Sequence, residues 1–345
     1  MGEVQTTTTK GMSSVARSVT ATIRRNLTIV APIVAFAVFF IVGGILYQNF
    51  FTLRVFLNLL TDNAYLGLAA VGMTVVIISG GIDLSVGASI STSAMIIAVL
   101  DSAGVGAWVS VPLAIGFGMV LGFLMGLMIQ FFDAPPFIVT LTGMFMARGI
   151  GYVLSLSSVP INGEFFVAMS GAGIKLPGGA TLTMPAVIFL VMVIVTMFIL
   201  RNTKFGRNVF ALGGDEESAF LMGIPVARTK LLIYTFSGFC AGLGGVVYTF
   251  YTLAGYGLAG LGLELEAIAS VVIGGTLLTG GFGSVLGSLF GVGIKGLIQT
   301  FITFQGTLMA SWARVFVGAL LFIFIVLQKV FLVSASRMKK PSASK

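Results

Sequence analysis

The sequence predicts an all-α, polytopic membrane protein of about ten transmembrane helices, some of them broken or re-entrant. Three observations carry that prediction. Hydrophobic residues make up 57% of the 345-residue chain and charged residues only 9%, against about 25% charged in soluble domains. Several apolar runs approach or exceed the ~20 residues that cross a bilayer as a helix. The 46 glycines fit closely packed and interrupted helices.

In order along the chain, residues 1–26 read as a Thr/Ser-rich tail, and Leu27 to Tyr47 as the first span. That run is longer than the ~7–15-residue core of a cleaved signal peptide. Further spans are expected at 57–79, 84–100, 108–131, 136–156, 184–200, 229–252, 265–279, 283–304 and 311–332. Eight spans satisfy the same topology if 84–100 and its neighbours are re-entrant. Gly80-Gly81 ends one helix, and Asp83, helped by Ser85, is placed to cap the next at Leu84, because orphan N–H groups in lipid are costly. An intramembrane acid is otherwise a functional candidate; here capping ranks ahead of substrate contact. Pro135-Pro136 opens the fifth span, since proline suits a first helical turn. Residues 157–183 form the largest outer loop, with Pro160, Glu164, Lys175 and Pro177.

The most polar internal segment is 201–230. It contains a short helix signal, 215–222: Asp215 as N-cap, Glu216 and Glu217 in the first turn where the dipole favours acids, and Gly223 and Pro225 as stops. Its apolar residues Ala219, Phe220 and Met222 call for a covering partner; the structural alternative is that this face folds back onto the membrane surface. The motif Gly80-Gly81-x5-Gly87 recurs as Gly280-Gly281-x5-Gly287, either as chance in a Gly-rich chain or as the paired broken helices of a duplicated transporter.

Charge follows topology. Of 19 basic residues, 14 lie in three groups: before the first span, in 201–230, and from Lys329 to Lys345, including the basic tail 333–345. The positive-inside rule places all three in the cytoplasm. The net charge of +8 thus reflects orientation in the bilayer rather than nucleic-acid binding.

No histidine is present and Cys240 is the single cysteine, which excludes an internal disulfide, a cysteine metal cluster and an imidazole metal site. No catalytic triad and no phosphate-binding loop occurs, so no enzyme activity, metal or cofactor is expected of this chain. Arg148 and Lys295 fall inside expected spans, either snorkelling or paired, or facing a wet path. Phe137 and Thr140 read mainly as packing residues, with path lining as the second reading. Asp62, Glu264 and Glu266 lie towards the outer face, as interfacial charges or as contacts for an external partner.

Four strings then combine. AAVGMTVVIISGGIDLSVG (69–87), PPFIVTL (135–141), GRNVFALGGDEESAFLMGI (206–224) and EAIASVVIGGTLLTGGFGSVLGSLFG (266–291) occur in that order. Together they resemble the inner-membrane permease subunits of bacterial sugar ABC importers of the ribose, xylose and galactofuranose type, over about Asn58 to Leu327. The strings at 60–74 and 262–281 look most like the galactofuranose branch.

The resemblance implies a permease half of about ten helices, related to the vitamin B12 type of importer. It implies a transmembrane domain over 27–332, with both termini cytoplasmic in a bacterial inner membrane. The implied partners are a second permease subunit, identical or paralogous, an ATP-binding subunit that supplies the ATP site, and a periplasmic sugar-binding protein. The coupling role falls on Asp215, Glu216, Glu217, Ala219 and Gly223, with Ser218 standing where the family's loop has alanine. The competing reading is an ion-coupled secondary transporter, which calls for intramembrane acids or histidines.

Overall fold

The computed structural model describes residues 27–338 apart from 178, 308 and 310, with backbone alone at 27–29 and 327–338. The expectations for the tail 1–26 and for residues 339–345 lie outside the described residues. In chain order the elements are α1 (Leu27–Leu46), α2 (Leu53–Asp62), α3 (Ala64–Ile78), α4 (Val86–Ser102), α5 (Ala107–Phe131) and α6 (Pro136–Leu154). Next come β1 (Val159–Pro160), α7 (Glu164–Gly171), β2 (Gly173–Leu176), β3 (Ala180–Thr183), α8 (Met184–Asn202), α9 (Lys204–Gly214) and α10 (Glu216–Leu221). The chain finishes with α11 (Val226–Thr252), β4 (Ala254–Gly255), α12 (Leu263–Ile273), α13 (Val285–Gln305) and α14 (Trp312–Met338).

The expectation of ten spans is corrected. Among the described residues five helices are long and apolar enough to cross a membrane: α5, α6, α8, α11 and α13. A sixth results if α2 and α3, bent by 61° about Asn63, count as one broken span. The discrepancy arises because apolarity does not distinguish a lipid-facing helix from one enclosed by protein. The run 84–100 became α4, a 17-residue helix buried along most of its length. The run 265–279 became the 11-residue α12, ended by Gly274 and a left-handed Gly275. α1, of 20 residues, and α14, of 27, stand outside the five because only Val30–Leu46 and Trp312–Val326 have described side chains.

The core is organised around α11. Glycines on α5 and α11 face each other, so the backbones touch: a Cβ at Gly118 would overlap the Gly238 carbonyl, and one at Gly122 the Tyr234 carbonyl. Without a hydrophobic drive between helices in lipid, such close van der Waals approach is a main source of association. On another face of α11, Gly72 of α3 meets Ser237 and Cys240, and Cys240 is fully buried. α3 is enclosed over nearly its whole length, which explains its uniform apolarity. A second cluster joins α1, α13 and α14, with the rings of Phe50 and Phe301 stacked at 5.2 Å.

Segment 157–183 is not irregular. β2 and β3 form an antiparallel hairpin in the register Lys175↔Thr181, and β1 pairs with β4 through Val159↔Gly255. Asp101 anchors the segment, accepting from the N–H groups of Asn162 at 2.9 Å and Gly163 at 3.1 Å.

Candidate functional site

Three glycine pairs, Gly80-Gly81, Gly213-Gly214 and Gly280-Gly281, meet at one end of the bundle. Gly80 and Gly280 both adopt left-handed backbone, at φ +84° and +82°, a region where a side chain is strained. A Cβ on Gly280 would lie 2.9 Å from the Gly80 nitrogen. The Gly281 N–H donates to the Ile78 carbonyl at 2.8 Å, and Gly213 packs on that same carbonyl. The two similar motifs at 80–87 and 280–287 are therefore neighbours that match at their first glycines; at the second, Gly281 is left-handed at φ +71° and Gly81 is not. Their closing glycines are both contact points: Gly87 lies against the Gly260 carbonyl, and Gly287 against that of Gly274. Gly81 packs on the Tyr234 hydroxyl.

Asp83 sits beside this break and is fully buried. Its Oδ1 accepts from the Ser85 N–H at 2.9 Å and from the Ser85 hydroxyl at 2.6 Å. Its Oδ2 accepts from Ser237 of α11 at 2.6 Å. The helix starts at Val86 rather than Leu84, so Asp83 both closes the turn into α4 and ties it to α11.

Segment 201–230 holds two helices where the sequence reading placed one. α9 was missed, although Phe205, Val209 and Leu212 have helical spacing and Thr203 is a capping residue that accepts from the Gly206 N–H. Val209 and Leu212 are buried, and α9 thereby rests beneath the glycine break.

α10 is capped at both ends. Asp215 accepts from the Ser218 N–H at 2.7 Å. At the other end, Ile224 N–H donates to the Ala219 carbonyl and Gly223 N–H to that of Phe220, with Gly223 at φ +78°; this is the Schellman closure. Glu216 pairs with Lys230 of α11, while Glu217 shares the first turn of α10. Ala219, expected on the outward apolar face, is fully buried: in a six-residue helix packed on its neighbours, one face must turn inward. The outward ridge is Phe220, Leu221 and Met222, exposed by 69%, 78% and 69%.

The bonds from Ser218 hold the Asp215 carboxyl below the usual range. A depressed carboxylate stabilises the fold above its unfolded pKa and stops doing so as pH falls through the folded value. The cap should therefore be constant from about pH 5 to 8. Hydrogen exchange at residues 218–222 should be correspondingly flat once corrected for intrinsic rates, and should accelerate in Asp215→Ala but not in Asp215→Asn.

At the opposite end of α11 the structure brings Lys295 and Glu266 together. Their charged groups lie 3.0 Å apart, and Lys295 also donates to Gln299 at 3.1 Å. Lys295 is 7% exposed, so it is paired within the protein. Removing one partner of such a buried pair strands the other, at about 3–5 kcal/mol when burial is complete and less here because Glu266 is partly exposed. Lys295→Met and Glu266→Gln should each lower thermal stability, and the double variant should recover part of the loss.

The remaining candidates stand apart. Asp62 bonds to Tyr251. Glu264 Oε2 is buried with no hydrogen-bond partner among the described residues and packs against Gly87. Arg148, 8% exposed, has both terminal nitrogens without a hydrogen-bond partner among the described residues. Thr140 is fully buried and donates to the Pro136 carbonyl at 2.8 Å, whereas Phe137 is exposed on the outside of α6.

Residues 55–325 match the family described as branched-chain amino acid transport system / permease component. The chain is 47% identical over 308 residues to the inner membrane ABC transporter permease protein YjfF of Escherichia coli, covering 89% of this chain and 93% of that one. It is 37% identical over 312 residues to the fructose import permease protein of Bifidobacterium longum, covering 89% and 92%. It is 35% identical over 299 residues to the ribose import permease protein of Bacillus subtilis, covering 86% and 91%. No solved structure matches the chain.

Proposed function

The chain belongs to the branched-chain amino acid transport system / permease component family, and from that premise we propose that it forms half of the translocation path of an ATP-driven monosaccharide importer. As an ABC transporter permease it is a multi-pass membrane subunit without an ATPase site of its own. The observation that carries the coupling mechanism is the α10 ridge. Three large apolar side chains project from a doubly capped helix in the most basic internal segment, and such a surface favours burial against a partner. An ATP-binding subunit is the proposed occupant, with Asp215, Glu216, Glu217 and Gly223 holding the peg in shape. The basic residues Arg201, Lys204, Arg207, Arg228 and Lys230 support a cytoplasmic location for this end at a bacterial inner membrane, and both termini are proposed to lie on the same side.

A second permease, identical or paralogous, would complete the path, and a periplasmic sugar-binding protein would deliver substrate. Sugar is proposed because relatives named as fructose and ribose import permeases align over nearly the whole chain. The strings at 60–74 and 262–281 place galactofuranose beside these two in the substrate panel.

Cross-linking tests the docking. With Cys240 replaced by Ala, Phe220→Cys should cross-link to the ATP-binding subunit in membranes, whereas Phe198→Cys, exposed on α8, should not. Equal yields at both positions, or none at 220, would remove the docking role.

A further inference from the structure

Beside the Glu266–Lys295 pair lies a cavity of about 340 Å³, lined among others by Tyr65, Tyr248, Glu266, Lys295 and Gln299. It adjoins a second of about 400 Å³ that shares Tyr65 and Gln299 and adds Asp62 and Tyr251. The volumes fall in the ~300–1,000 Å³ range of small-molecule sites. Tyr248 stands near the end of α11 remote from α10, so the cavities open at the end away from the proposed ATPase contact.

The lining has two kinds of surface. Tyr65 and Tyr248 meet edge to face at 5.4 Å, offering aromatic carbon to an apolar C–H face. Glu266 supplies acceptors, Lys295 donors and Gln299 both, matching hydroxyls that also donate and accept. The buried charges are matched, with Lys295 on Glu266 at 3.0 Å, and the Asp62 carboxyl is bonded to Tyr251. Arg314, which is exposed, also lines the first cavity, with Leu261, Leu263 and Val317 as its apolar part. The paired interior and the tyrosine faces suit a polyhydroxy solute, whereas an amino acid would set its carboxylate on Arg314, which makes leucine the competing probe.

We propose that this cavity is a sugar-binding station inside the permease, holding a monosaccharide between Tyr65, Tyr248, Glu266, Lys295 and Gln299 after its release from the binding protein. The proposal rests on the reading of the chain as a sugar permease, and adds to it a selective site within the membrane subunit. Selectivity would then be exercised twice, once at delivery and once here.

The test uses the full chain assembled with its ATP-binding subunit in membrane vesicles. Ser311 lines the first cavity and is exposed, so Ser311→Cys in a Cys240→Ala background should fold and react with a membrane-impermeant maleimide. D-ribose, D-fructose, D-galactose in its furanose-enriched form, and L-leucine are the probes. One sugar at about ten times its dissociation constant should slow labelling about tenfold, as occupancy requires, and leucine should not. Adding Tyr248→Ala should abolish protection, read as the ratio of labelling rates with and without sugar in that same variant. No labelling in the assembled complex would mean that another protein surface fills the cavity, and would overturn the proposal. So would protection by leucine alone, or labelling indifferent to a sugar that the same vesicles take up with ATP. Absence of ATP-dependent uptake of every sugar would instead sink the sugar reading, and this site with it.

Discussion

Gly238→Leu should remove most of the folded protein from the membrane, by tenfold or more as read by detergent-resistant monodisperse protein after extraction. The reason is backbone, not side chain. A Cβ at 238 overlaps the Gly118 carbonyl of α5 and approaches Gly122 Cα at 3.3 Å. A flexible side chain could turn aside; two packed helix backbones must separate. Ordinary overpacking in a core costs about 1–3 kcal/mol, and separating α5 from α11 also loosens the contacts that α11 makes with α3 and α4. Gly116→Leu, on the same α5 but with nothing within 4 Å of its Cβ position, should accumulate normally. If both variants accumulate alike, the glycine contact does not govern assembly.

Leu221→Asp should abolish ATP-driven uptake while leaving the protein folded and inserted. Leu221 is 78% exposed, so the substitution disturbs no internal packing. It places a carboxylate at the middle of the apolar ridge, where a partner must desolvate it, an expensive burial for an unpaired charge. Truncating a central apolar contact costs an interface about 2 kcal/mol or more, and a buried charge adds to that. Ala219→Arg would be a poorer probe, since Ala219 is buried beneath the helix and its loss would unfold α10 itself. Retained uptake in Leu221→Asp, with the ATP-binding subunit co-purifying at normal stoichiometry, would exclude the ridge as the docking surface.

Local chemistry was legible in the sequence; tertiary choice was not. Asp215, Gly223 and Pro225 announced α10, and its caps are where those residues allow them. Gly80-Gly81 and Gly280-Gly281 announced breaks, though not that the two breaks touch. The span count went astray because runs such as 84–100 are apolar for burial inside protein, a distinction that composition does not carry. The bend at Asn63 had no Gly or Pro to signal it; Asn63 turns its side chain back onto the Leu59 carbonyl. α9 carries helical spacing at Phe205, Val209 and Leu212, but Lys204, Arg207 and Asn208 give the same segment the polarity of a loop. The pairing of Lys295 with Glu266, from different helices, depends on how α12 and α13 pack, and no local pattern encodes it. Tyr65, Tyr248 and Gln299 carried no signal of their own, since aromatic and amide residues are common in spans and their convergence is purely spatial.

The most direct measurement is sugar uptake into proteoliposomes holding this chain, its ATP-binding subunit and a loaded sugar-binding protein. Uptake of one monosaccharide from the panel should require internal ATP, stop in Leu221→Asp, and persist when proton and sodium gradients are collapsed. Uptake that proceeds without the ATP-binding subunit and follows an imposed ion gradient would contradict the assignment.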